Sequence, residues 1–217
     1  TIKLDGNYPT GTNNVALGDT ALDSVTTGIR NTVIGSVAGT AITSGGRNTF
    51  IGYASGNSTT TPSYNTAVGS NALQSNTTAS NNTAVGYLAL TANTTGASNT
   101  AVGASAGSAI TTASNSVFIG LRAGNNITTG NSNIAIGVDT LTGNVTGARN
   151  TAVGHNSLAV STATDNTALG ANTLLNNTTG AYNVAVASSA LSNNTTGESN
   201  VALGHQALQT NTTASYN

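Results

Sequence analysis

Cysteine, methionine and tryptophan are absent from the 217 residues, and proline occurs only twice. Without cysteine there is neither disulfide stapling nor a thiolate metal site, which excludes the covalently clipped small folds. Charge is almost as scarce: Lys and Arg number 5, Asp and Glu 6, for a formal net charge of −1. Neutralising phosphates takes a basic patch, so nucleic acid and an anionic membrane surface are excluded as partners. Aromatic residues make up only 4%. No apolar run approaches the roughly 20 residues of a spanning helix, so no membrane insertion by this segment is expected. A thick globular core is out of reach, yet the aliphatic positions recur too regularly for a disordered chain.

What is there is a repeat. Gly18, Gly35, Gly52, Gly69, Gly86, Gly103, Gly120, Gly137 and Gly154 stand 17 residues apart. One interval of 16 leads to Gly170, and the spacing of 17 resumes through Ala187 to Gly204. Residues 1–12 form a leading segment outside the repeat, and 13–217 reads as a block of twelve repeats, one shortened to 16. Solenoid ends are normally capped by atypical copies, so Asn217, opening a further copy, predicts continuation past it as part of a longer chain.

The residue before each of these glycines is aliphatic, as in Leu17, Ile34, Ile51, Val68, Val85 and Ile119. Two residues earlier stands Thr or a β-branched aliphatic, so each copy predicts a short strand that ends at a glycine corner. The Asn-Thr-Thr-Gly segment, as in Asn93–Gly96, predicts a second strand entering a turn. Between them lies a small residue followed by Leu, as in Ala72-Leu73, but in four copies the Leu is Gly39, Gly56, Gly107 or Gly124. Those copies regain volume elsewhere: Ile42, Ile110 and Ile127 replace the usual Asn, and Val33, Phe50 and Phe118 replace the usual strand Ala. Interiors pack at crystal-like density, so volume exchanged among three positions places them in one packed space. A flat strand cannot bring them together, whereas a closed coil can.

The predicted fold is therefore all-β, a parallel β-solenoid or β-roll of 17-residue coils stacked about 4.8 Å apart. The shortened copy places its deletion in a surface turn around Ser161–Asp165. So few large aliphatic residues per coil make a thin core. With no cysteine and no Gly-Gly-x-Gly-x-Asp calcium motif, assembly as a homotrimer about a shared axis is the expected way to complete it.

Asn115-Ser116-Val117-Phe118-Ile119-Gly120, Asn133-Ile134-Ala135-Ile136-Gly137 and Asn14-Val15-Ala16-Leu17-Gly18 resemble the Asn-Ser-Val-Ala-Ile-Gly unit of trimeric autotransporter adhesin heads. The longer run Asn-Thr-Ala-Val-Gly-x-x-Ala-Leu-x-x-Asn-Thr-Thr-Gly is similar to repeats of phage tail-fibre-like proteins and bacterial surface fibres. The resemblance implies a left-handed parallel β-roll packed as a trimer. This sequence departs from the adhesin unit in its longer period and in frequent Thr for Val on the strand.

Catalytic and metal-binding residues are not expected. His155 and His205 share a repeat position three coils apart, about 14 Å, too far for one ion. Asp5, Asp19, Asp23, Asp139, Asp165 and Glu198 form no repeated pair for acid and base chemistry, and no Ser/His/Asp set suggests itself. No cofactor is expected. Two columns remain as candidate surfaces. Arg30, Arg47, Tyr64, Arg149, Tyr182 and Tyr216 precede the opening Asn of their copies, forming a possible glycan or surface-contact stripe or an apolar-stemmed seam. Thr94, Thr95, Thr178, Thr179, Thr195 and Thr196 form a possible Thr array, although adjacent residues of a strand point to opposite sides. The Asn-x-Thr triplets at Asn76 and Asn126 would be glycosylation acceptors in a eukaryotic secretory route.

The expected function is non-enzymatic: an extracellular trimeric fibre segment, on a cell or virion surface, presenting contacts to a cell-surface glycan or protein receptor. The alternatives are an ice- or polymer-binding solenoid acting through the Thr columns, and a subunit of an end-to-end extracellular filament.

Overall fold

Three residues at a time, the chain forms strands and then leaves them. The computed structural model describes residues 12–217, so of the leading segment 1–12 all but Thr12 lies outside the described residues. The strands are β1 Val15–Leu17, β2 Thr32–Ile34, β3 Thr49–Ile51, β4 Thr66–Val68, β5 Thr83–Val85, β6 Thr100–Val102, β7 Val117–Ile119, β8 Ile134–Ile136, β9 Thr151–Val153, β10 Thr167–Leu169, β11 Val184–Val186 and β12 Val201–Leu203. The chain divides into two compact units at Thr112 and Ala113, with β1–β6 in the first and β7–β12 in the second. Within each, strands pair in parallel with the next copy, residue on equivalent residue: Thr66 on Thr83, Ala67 on Ala84, Val68 on Val85. The shortened copy keeps this register, with Thr151 on Thr167. The fold is an all-β parallel β-solenoid of about eleven coils of 17 residues, with no helix among the described residues.

The predicted second strand does not form; each coil holds one strand. In a strand, successive N–H groups point to opposite edges. Here those of Thr94 and Thr95 both donate to the carbonyl of Thr111, at 2.9 and 3.2 Å, so the segment is a bend. The same convergence joins Thr26, Thr27 and Gly28 to the Thr43 carbonyl.

Strand alternation sets the inside of the coil. The middle residue of each strand points inward, and Val33, Phe50, Ala67, Ala84, Phe118 and Ala135 are fully buried. Facing them are Leu73, Leu90, Leu141, Leu158, Leu174 and Leu191, or the isoleucines Ile42, Ile110 and Ile127. The volume exchange expected from sequence is a direct contact. A Cβ built on Gly39 would lie 3.1 Å from Phe50, 3.2 Å from Ile42 and 3.4 Å from Val33. On Gly56 or Gly124 it would enter the ring of Phe50 or Phe118. These four glycines have φ of +52 to +60°, and the leucines that replace them elsewhere adopt the same left-handed backbone, +53° at Leu73 and +50° at Leu90. A left-handed leucine costs about 1–2 kcal/mol, a strain that burial of its side chain offsets.

The corner glycines are fixed by the stack. Gly69 has φ +135°, and a Cβ there would sit 2.5 Å from the Gly86 carbonyl oxygen of the next coil. Opposite the apolar wall runs a buried ladder of the Asn residues that open each copy. The Oδ1 of Asn65 accepts the backbone N–H of Asn82 at 2.9 Å, while Asn82 Nδ2 donates to the Gly96 carbonyl at 2.9 Å. Ser116 is the exception in this column, and its Oγ accepts from Asn133 N at 3.1 Å. A second column continues where Asn rather than Ile faces the core: Asn194 Nδ2 donates to Asn177 Oδ1 at 2.8 Å. It breaks at Asn93, whose buried Oδ1 has no partner because Ile110 follows it in the stack.

Candidate functional site

With the middle residue of each strand turned inward, its two neighbours turn out: the one that follows it is aliphatic in every strand, and the one that precedes it is Thr or a β-branched aliphatic. Val102, Ile119, Ile134, Leu169 and Val184 are each 36–39% exposed. None of the twelve strands carries a charged residue. In the first unit, the leading outward residue is Thr in β2–β6; in the second it is Val117, Ile134, Val184 and Val201 in four of the six strands. Each unit therefore presents a neutral stripe one strand wide, richer in aliphatic residues in the second unit.

The Arg and Tyr column exists in each unit. Its members share a left-handed backbone, φ +57 to +63° at Arg30, Arg47, Tyr64, Arg149, Tyr182 and Tyr216. In the first unit the Arg47 guanidinium lies 5.2 Å from the centre of the Tyr64 ring, and its Nη1 donates to the Tyr64 hydroxyl at 2.7 Å. In the second unit Arg149 reaches Asp165 instead, through two hydrogen bonds of 2.7 Å. Tyr182 stands 61% exposed in the coil after Asp165. Asp165 belongs to this column too, since it directly precedes the opening Asn166 of its copy.

The deletion itself falls between Thr162 and Ala163. Thr162 Oγ1 donates to the Thr178 carbonyl, as the first Thr of other copies does to the next coil. Ala163 is buried and its carbonyl takes the Asn150 amide, the role of Gly180 toward Asn166. The outward Thr is the residue lost. In the Thr array, Thr94, Thr178 and Thr195 donate their hydroxyls to the carbonyls of Thr111, Thr195 and Thr212, each at 2.9 Å. Thr95, Thr179 and Thr196 are exposed. Because the segment bends, neighbouring Thr residues do not alternate between inside and outside as the sequence led us to expect.

The remaining polar groups are dispersed. His155 and His205 are exposed, and among the described residues no three His, Cys, Asp or Glu side chains converge as a metal site. Asp139 lies below the ordinary carboxylate range, chiefly because it accepts hydrogen bonds from Arg122 at 2.6 and 2.7 Å. Burial opposes that shift, and the charges of Arg122 and His155 assist it. Asp165 is lowered in the same way, chiefly by Arg149. Asn76 is buried in the core, whereas Asn126 is exposed. No helix among the described residues is long and apolar enough to cross a membrane.

Two exposed tyrosines went unnoticed in the sequence. Tyr53 and Tyr87 each follow a corner glycine and are 59% and 58% exposed. Their signal was their shared repeat position. No family model, curated protein or solved structure matches the chain.

Proposed function

We propose that the chain is a segment of an extracellular homotrimeric fibre, with the outward aliphatic stripes of three copies packed about a common axis. The single observation that carries this reading is the neutral stripe of half-exposed Val, Ile and Leu repeated strand after strand. The occupant it fits is a second copy of itself, because only an identical repeat matches the period coil for coil. A strand of three residues presents a strip only about 10 Å wide. Two copies would bury one such strip against another, whereas three around an axis let each strip meet two neighbours. The likeness to trimeric adhesin heads and tail-fibre repeats points the same way.

As a fibre, the protein acts mechanically and by multivalency. A stacked solenoid separates a contact region from its anchor and repeats weak contacts to a cell-surface glycan or protein receptor, raising the net strength by avidity. Cell and virion surfaces are the settings for such a role. The Thr columns favour a second reading, an ice- or polymer-binding face, since Thr179 and Thr196 stand exposed in successive coils of the second unit, as Thr95 does in the first; thermal hysteresis tests it.

The fibre reading is tested by light scattering during size-exclusion chromatography. A stable species of three times 21.2 kDa supports it, and 21.2 kDa at every concentration overturns it. Species that lengthen with concentration would point to end-to-end filaments.

A further inference from the structure

We propose that Tyr53 and Tyr87 are the two stacking platforms of a binding site for an extended, neutral, β-linked sugar chain of the glucan or N-acetylglucosamine type. The proposal deepens the fibre reading by naming its receptor class, and it rests on that reading for its biological role, although the site needs only one chain.

Both residues stand just beyond a corner glycine, Gly52 with φ +132° and Gly86 with φ +134°. That corner turns the chain off the sheet, so the rings lie outside the aliphatic stripe. They occupy the same repeat position with one coil between them. The backbone hydrogen bonds fix the stack: Asn71 N donates to the Tyr53 carbonyl, Leu88 N to the Ser70 carbonyl and Ser105 N to the Tyr87 carbonyl, at 2.9, 3.1 and 2.8 Å. Two coil steps separate the two backbone positions by about 9.5 Å along the stack. That is the length of two sugars in an extended β-linked ribbon, which returns the same ring face with every second unit. Each tyrosine therefore meets an equivalent face of the sugar chain.

The coil between them supplies the polar contacts a sugar requires. Ser70 Oγ donates to Asn71 Oδ1 at 2.9 Å, and Asn71 Nδ2 reaches Gln74 Oε1 at 3.3 Å. This half-exposed row of hydroxyl and amide groups lies level with the sugar that bridges the platforms. No Lys, Arg, Asp or Glu occurs from Asn48 through Thr112, so the surroundings favour a neutral ligand over an acidic one. A rigid aromatic ring contributes large contact area at small entropic cost, which suits weak sites repeated along a fibre.

The test is calorimetric titration of the full chain with cellohexaose and chitohexaose, with cellobiose and the α-linked maltohexaose as comparisons. The hexasaccharide of one β-linked series is expected to bind at least about tenfold more tightly than cellobiose or maltohexaose. Tyr53→Ala and Tyr87→Ala should each weaken it about tenfold, Tyr→Phe at either site should retain it, and Tyr64→Ala should leave it unchanged. No binding of either β-linked hexasaccharide, equal binding of maltohexaose, or affinity unaffected by Tyr53→Ala/Tyr87→Ala would overturn the site. Light scattering on the same sample separates the two readings: a monomer that binds keeps the site and removes the fibre, and a trimer that does not bind removes the site alone.

Discussion

The Oδ1 of Asn31 accepts two hydrogen bonds from Asn48 in the next coil, from its backbone N–H at 3.0 Å and its Nδ2 at 3.1 Å. The Nδ2 of Asn48 then donates to the Pro62 carbonyl one coil further on, at 2.9 Å. The single buried amide of Asn48 thus ties neighbouring coils on both sides.

Replacing a ladder Asn by an apolar residue strands its partners without removing them. Asn65→Leu leaves the Asn82 backbone N–H without the acceptor it has at 2.9 Å, and one such buried loss costs about 1–3 kcal/mol. Asn65→Ser should be milder, since Ser116 already fills that place in one coil. Urea denaturation of the two variants gives the order, and a Leu variant as stable as the parent would refute the ladder's role.

The core exchange yields a compensation that can be measured. Gly56→Leu drives a side chain into the Phe50 ring and should destabilise the chain severely, whereas Phe50→Ala alone leaves a cavity and costs about 3–5 kcal/mol. Combined, they recreate the Ala and Leu arrangement of Ala67 and Leu73, so the double variant should be more stable than either single one. Additive losses would show that the two positions do not share a space.

That exchange is also why the coil was legible in the sequence. The volume lost at Gly39 is regained at Ile42 and Val33, and only a closed loop of chain brings the three into contact. The bend at Thr94 and Thr95 was not legible, because β-branched residues suit a strand as well as an outward-facing turn. Nor was the left-handed backbone at Leu73, since leucine does not announce such a conformation and only the four glycines in its column hint at it. Of the candidate surfaces, the Arg and Tyr column followed from spacing alone, whereas the pairing of Arg149 with Asp165 of the same column needed the structure. Tyr53 and Tyr87 were visible as a recurrence, but their exposure depended on the corner before them.

The two Arg and Asp pairs predict a small acid dependence. Both carboxyls lie below their ordinary value in the folded chain, so their pairs contribute stability above the unfolded carboxylate pKa of about 3.9. That contribution fades as pH falls through the lowered folded values. The pairs are exposed, with 52% and 61% of the arginine side chains accessible, so salt should screen them. Titration of the carboxyl carbons by NMR should place Asp139 and Asp165 below an unfolded reference. Ordinary values for both would show that the arginines do not hold them in solution.

The stripe makes the most consequential prediction. Val85 and Ile136 are outward neighbours of the buried Ala84 and Ala135, so a change at either leaves the core of its coil intact. Lysine at either site would place three ammonium groups around the proposed axis, and burying even one unpaired charge costs several kcal/mol. Val85→Lys and Ile136→Lys should lower the mass from three times 21.2 kDa to 21.2 kDa while the far-ultraviolet circular dichroism stays unchanged. Thr95→Lys, on the bend and away from the strands, should leave the assembly whole. If the strand variants keep the parent mass, the stripe faces solvent and the aliphatic residues serve the single solenoid alone.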